Sequence, residues 1–211
     1  MKTKTLGWIA VAIFVPLILG LTLTAFALDT GATLPTSAAN DATVGTTDWT
    51  STANALTDDG QGAYCDCRIS GAITDDTIRL NVGGAFTGDD KAISTVFSGE
   101  ETRTYGGAAD LWGTTPTATQ INDAGFGVGI SFVGNGGTSK YLLLTGYGFS
   151  IPTDATIDGI KLDLNVINTV GTALVDHGSI TVYYTEASTD SDEIAIRSAS
   201  VEVRSGTIEI R

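Results

Sequence analysis

The residues able to do chemistry in this chain are few. There is one histidine, His177, and it follows Asp176 directly. A carboxylate beside an imidazole is an acid–base couple, but a Ser-His-Asp triad also needs an aimed nucleophile and an oxyanion site. No Gly-x-Ser-x-Gly elbow occurs, and His177 is expected in a turn just before a strand. No catalytic residue is assigned, and the chain is read as a non-enzyme. Cys65 and Cys67 flank Asp66. On an extended strand they point the same way but lie about 6.5–7 Å apart, beyond disulfide reach. They read best as small residues on one strand face. A bridge to another chain and a metal site are the alternatives, but a zinc site needs a second ligand pair, which His177 alone does not supply.

The paired carboxylates Asp58-Asp59, Asp75-Asp76 and Asp89-Asp90 have the ligand type that calcium prefers. Asp89 and Asp90 are the calcium candidates. Without an EF-hand spacing, the preferred reading is solvated turn aspartates that bond nearby backbone N–H groups. No other metal ligand or cofactor is expected. Tyr105, Trp112 and Tyr147, with Tyr141, are candidates for a sugar-stacking platform, since aromatic rings offer flat apolar faces with a polar edge. In the competing reading Trp112 plugs the end of the fold beneath a glycine-rich turn. The stretch from Gly134 to Lys140 resembles a phosphate loop only superficially: Ser139 stands where the final glycine must be, and no helix follows.

The elements that must position these residues are strands. Thr77–Val82, Phe126–Phe132, Ile160–Val166 and Ile180–Tyr184 alternate apolar and polar or glycine residues with period two, between Gly, Asn and Asp clusters. No long stretch after residue 27 has a 3.6-residue period. The expected fold is all-β, an antiparallel β-sandwich of jelly-roll type over residues 49–186. Residues 28–48, rich in Thr, Ala, Asp and Gly, are expected to be a linker or weakly ordered arm.

The chain begins Met1-Lys2-Thr3-Lys4 and runs apolar from Leu6 to Ala27, ending in Ala25-Phe26-Ala27. Positive start, apolar core and small-x-small end read as a signal peptide over residues 1–27. The run is also long enough to span a bilayer, so an uncleaved anchor is the rival reading. In either case the remainder is secreted or displayed at the cell surface, touching membrane only through residues 6–27 if these are retained. In the tail, residues 187–211, Ile194–Arg197, Val201–Arg204 and Ile208–Arg211 repeat every seven residues. Their β-branched pairs sit at i and i+2, so three short strands are expected, and such strands bury too little to stand alone.

Several phrases carry a resemblance: Trp49–Ala55; Thr104–Gly113, with Tyr105-Gly106-Gly107 and Leu111-Trp112-Gly113; Ile121–Val128; Gly148–Ile160, with Phe149, Ile151 and Pro152; and Ile180–Tyr184. Residues 49–186 resemble β-sandwich modules of bacteriophage structural proteins and secreted bacterial surface proteins. The resemblance implies a fold and says little about activity. In that family the Phe-x-Ile-Pro block precedes the Tyr-Gly-Gly and Leu-Trp-Gly block, and here the two are exchanged. Rerouted loops, or strands swapped between chains, accommodate that order.

Asp and Glu number 24 against 11 Lys and Arg, a net charge of −13. No basic cluster exists to hold phosphates, which argues against nucleic acid and against adsorption to anionic membranes. The functional expectation is an exported structural or adhesive protein that self-associates through its tail or binds another surface protein. The alternative is a carbohydrate-binding module; no cofactor is expected, calcium being the one candidate for such a module.

Overall fold

The computed structural model describes residues 27–60, 62–169, 171–187, 201–204 and 207–210. Residues 1–26 of the signal or anchor segment and the first tail repeat, Ile194–Arg197, lie outside them. The described chain is all-β, with two antiparallel sheets packed face to face. The first sheet is built on a long hairpin, β10 (Thr156–Thr169) and β11 (Thr172–Thr185). β6 (Glu100–Gly107) pairs with β10. β1 (Leu28–Asp29) and β3 (Cys65–Arg68) both pair with β11, at its two ends. The second sheet runs in the order β2 (Ser37–Asp41), β9 (Tyr141–Thr145), β7 (Gly127–Gly134), β4 (Thr74–Val82), β5 (Ala85–Thr87). β8 (Gly137–Thr138) folds back on β7 and completes a hairpin where the phosphate-loop-like stretch lies.

The period-two pattern explains the packing. Ile160, Leu162, Leu164 and Val166 face inward from β10, and Ile180 and Val182 from β11. Ile78 and Leu80, Val128, Ile130 and Phe132, and Leu142 and Leu144 meet them from the second sheet. Their burial is the main stabilising term of such a sandwich. Gly178 lets the sheets approach, because a Cβ there would lie 2.8 Å from Leu144 Cδ1 of the opposite sheet. On the outer face of β7, Gly129 leaves room for the Phe86 ring, which packs on Tyr141 at 4.2 Å. The glycines that alternate along this strand therefore include one seat for an aromatic lid.

Residues 28–48, expected as a linker or arm, are laid along both sheets: β1 extends the edge of the first and β2 the edge of the second. Backbone pairing needs no large side chain, so composition alone does not reveal such strands. Helical structure among the described residues is confined to a 3₁₀ turn, η1 (Thr52–Leu56), and a four-residue helix, α1 (Ala118–Ile121). The latter is closed by a capping box between Thr117 and Gln120. In the tail, β12 (Val201–Arg204) and β13 (Thr207–Ile210) pair antiparallel as a sheet of their own.

Candidate functional site

The histidine lies inside strand β11, not in a turn ahead of a strand. In a regular strand Asp176 and His177 would point to opposite faces. A β-bulge prevents this. Asn165 of β10 pairs with His177, but the next residue, Val166, pairs with Val175, which leaves Asp176 without a partner opposite. The extra residue also switches the phase of the strand: Ala173 and Val175 are buried before it, and Ile180 and Val182 after it. Bulges re-aim side chains in this way and are frequent beside functional sites.

The outcome is a close carboxylate–imidazole contact. His177 Nδ1 lies 2.8 Å from Asp176 Oδ2. Asp176 is only 2% exposed, and its other oxygen, Oδ1, is buried with no hydrogen-bond partner among the described residues. The side-chain oxygen of Asn165, the residue paired with His177, is likewise buried and unpartnered. η1 packs on β11, and the chain leaving it brings in Asp58, whose Oδ1 is 4.0 Å from the same Nδ1. One donor atom from each of Asp58, Asp176 and His177 lies within 4.8 Å of the other two. Nearby, the Tyr64 phenol is held above its ordinary value by burial and by the negative charges of Asp176, Glu100 and Asp59. An imidazole and two carboxylates in a negative field form a donor set for a divalent cation.

A second polar cluster joins the two sheets. Asp75 is fully buried on β4, again beside a bulge: it pairs with Phe132, while Thr77 pairs with Ser131. Its Oδ2 accepts from Tyr105 Oη at 2.9 Å and from the Ile93 amide at 3.0 Å. Its Oδ1 lies 3.4 Å from Arg103 Nη1. Arg103 is itself 8% exposed, bound to Glu101 Oε1 at 2.8 Å and set over the Phe97 ring at 3.9 Å. Every strong donor here has an acceptor, so this cluster reads as an internal clamp between sheets.

No protein-family model, curated protein or solved structure matches this chain. The β-sandwich stands on the two packed sheets themselves, and no comparison supports the resemblance of residues 49–186 to phage or surface modules.

The phrases that carry it prove to be structural staples. Trp112 is fully buried and donates from Nε1 to the Ile160 carbonyl at 2.9 Å. Trp49 donates to the Lys140 carbonyl at 2.8 Å, and Asn122 exchanges two hydrogen bonds with Ile151. The candidate sugar-stacking rings lie in the interior, as the competing core reading has it for Trp112. Tyr105, Trp112 and Tyr147 are 3%, 0% and 4% exposed, and Tyr141 is buried too. Tyr105 serves Asp75, and Tyr147 Oη donates to the Gly178 carbonyl at 3.2 Å. These rings are spent on the core, where their polar tips find partners and their faces are covered.

The calcium candidates separate into two jobs. Asp89 is largely exposed and faces Lys91 at 3.6 Å. Asp90 Oδ1 accepts from the amides of Ile78 and Ala92 at 2.9 and 3.1 Å, a loop-fastening role close to the turn reading. Asp59 behaves similarly toward Gly62. The turn reading fails for Asp75, which is in the core; Asp58 is exposed on a loop as that reading expects, and it also approaches His177. Cys65 and Cys67 are free, buried and on one face of β3. Burial, then the charge of Asp66, raises both thiols, Cys67 up to about 12, so neither is a ready thiolate. The Asp176-His177 pair was visible in the sequence. The bulge and Asp58 were not, because both depend on which strands meet.

Proposed function

We propose that the chain is an exported, non-enzymatic β-sandwich module of jelly-roll type that does structural or adhesive work at a cell or particle surface. In this reading it assembles through its C-terminal β repeat. One observation carries the proposal: among the described residues, β12 and β13 pair only with each other and join neither sheet of the sandwich. A hairpin of four-residue strands is marginal in water by itself. Its free edges are templates for a neighbouring strand, and strand addition is a common mode of protein association. The acidic composition, with a net charge of −13, supports surface exposure and solubility and gives no footing for nucleic acid.

The test removes residues 187–211 and compares the molar mass of full-length and shortened chains by light scattering, with circular dichroism to verify the sandwich. The expected result is a multimer for the full chain and a smaller species for the shortened one. Equal masses would overturn assembly through the tail.

A further inference from the structure

We propose that Asp58, Asp176 and His177 bind a divalent transition ion of the zinc type, which ties the segment after η1 to the bulged strand β11. The donors are already gathered, within 4.8 Å of one another. A second observation is independent of that proximity. Asp176 is 98% removed from solvent, yet among the described residues one of its oxygens has no hydrogen-bond partner. A buried carboxylate is costly unless paired. Among the described residues its ionic partner is His177 alone, through Oδ2. A cation bound at this carboxylate adds the opposite charge that its burial calls for.

The donor types choose the ion. Calcium and magnesium take oxygen ligands and leave imidazole aside. Copper(I) favours thiolate and thioether ligands, and Cys65 and Cys67 are not in the cluster. One imidazole and two carboxylates suit zinc, with water completing the shell. Around a tetrahedral zinc, ligands about 2.0–2.1 Å from the ion stand about 3.3 Å apart. The Nδ1–Asp176 separation of 2.8 Å must open slightly, and the Nδ1–Asp58 separation of 4.0 Å must close by about 0.7 Å. Asp58 is 62% exposed on a loop and is the ligand free to make that movement. Coordination through Nδ1 requires the ring proton to sit on Nε2.

The site joins parts of the chain that backbone pairing leaves apart. β1 and β3 cover β11 at Tyr183–Tyr184 and at Thr172–Val175, and the Asp176-His177 stretch lies in the gap between them. An ion held there would fasten the Asp58 segment over the gap.

The full-length chain, stripped with a chelator, is titrated with zinc chloride by calorimetry and melted with and without zinc. One zinc per chain and a raised melting temperature are expected. At a free zinc concentration 100 times the dissociation constant, the folding equilibrium shifts about 100-fold. His177→Ala should weaken binding by at least about 100-fold, the upper end of what losing a mere outer-shell partner costs. Asp58→Asn, at an exposed position that folding tolerates, should weaken it at least tenfold. Cobalt substituted for zinc should give a visible spectrum without thiolate charge transfer. No zinc uptake, unchanged binding in both variants, a thiolate signature, or calcium binding as tight as zinc would each overturn the proposal.

Discussion

Replacing Asp75 by alanine should destabilise the protein by about 3–4 kcal/mol. Breaking one side of a buried ion pair costs about 3–5 kcal/mol, because the other charge remains buried. Two features set the value within that range. Arg103 keeps Glu101, at 2.8 Å, and the Phe97 ring, and its contact with Asp75 is long at 3.4 Å; both place the charge penalty at the low end. Against this, the Tyr105 hydroxyl and the Ile93 amide lose their common acceptor, and an unsatisfied buried donor costs about 1–3 kcal/mol. Total stabilities are about 5–15 kcal/mol, so the variant remains folded but is weakened severely. Urea unfolding followed by tryptophan fluorescence gives the difference directly. Asp75→Asn keeps an acceptor of the same shape and should lose less. A double-mutant cycle with Tyr105→Phe should show a coupling of about 1.5–3 kcal/mol, the range for a hydrogen bond to a charged group. A loss under about 1 kcal/mol for Asp75→Ala, at unchanged denaturant slope, would refute the clamp and mean that the sheets are held by apolar packing alone.

Gly106→Ala should be as damaging from a different cause. Gly106 has a φ of +72°, and a Cβ there would lie 2.3 Å from the Ile160 carbonyl and 2.4 Å from Trp112 Nε1. Left-handed backbone strain of about 1–2 kcal/mol adds to about 1–3 kcal/mol of overpacking. Denaturant titration should show the sum, and a red-shifted fluorescence should report the displaced Trp112. The thiols of Cys65 and Cys67 should resist an alkylating or disulfide reagent at neutral pH in the folded chain and react fully in denaturant, because burial keeps them protonated and covered. Labelling counted by mass spectrometry checks this.

The all-β class was legible before any coordinates. β4, β7, β10 and β11 are the stretches whose side chains alternate, since a half-buried strand must present opposite chemistry to its two faces. Two of the three tail repeats, Val201–Arg204 and Ile208–Arg211, overlap β12 and β13. Composition concealed the polar strands β1, β2 and β6, which are held by backbone pairing and by contacts from other parts of the chain.

The positions of the aromatics and carboxylates belonged to the tertiary structure alone. Whether Trp112 stacks on a ligand or plugs a sandwich depends on what covers its ring, and Ile160, which accepts its Nε1 hydrogen bond, is distant in sequence. Asp75 and Asp89 look alike as halves of Asp-Asp pairs, yet one is a buried clamp and the other is exposed. The bulges that redirect Asp75 and Asp176 arise from the register between two strands, a quantity that neither strand's sequence contains. Local alternation follows from residue type, because each side chain answers only to its own environment. A site such as Asp58, Asp176 and His177 exists only when strand pairing and loop packing bring far separated residues to the same point.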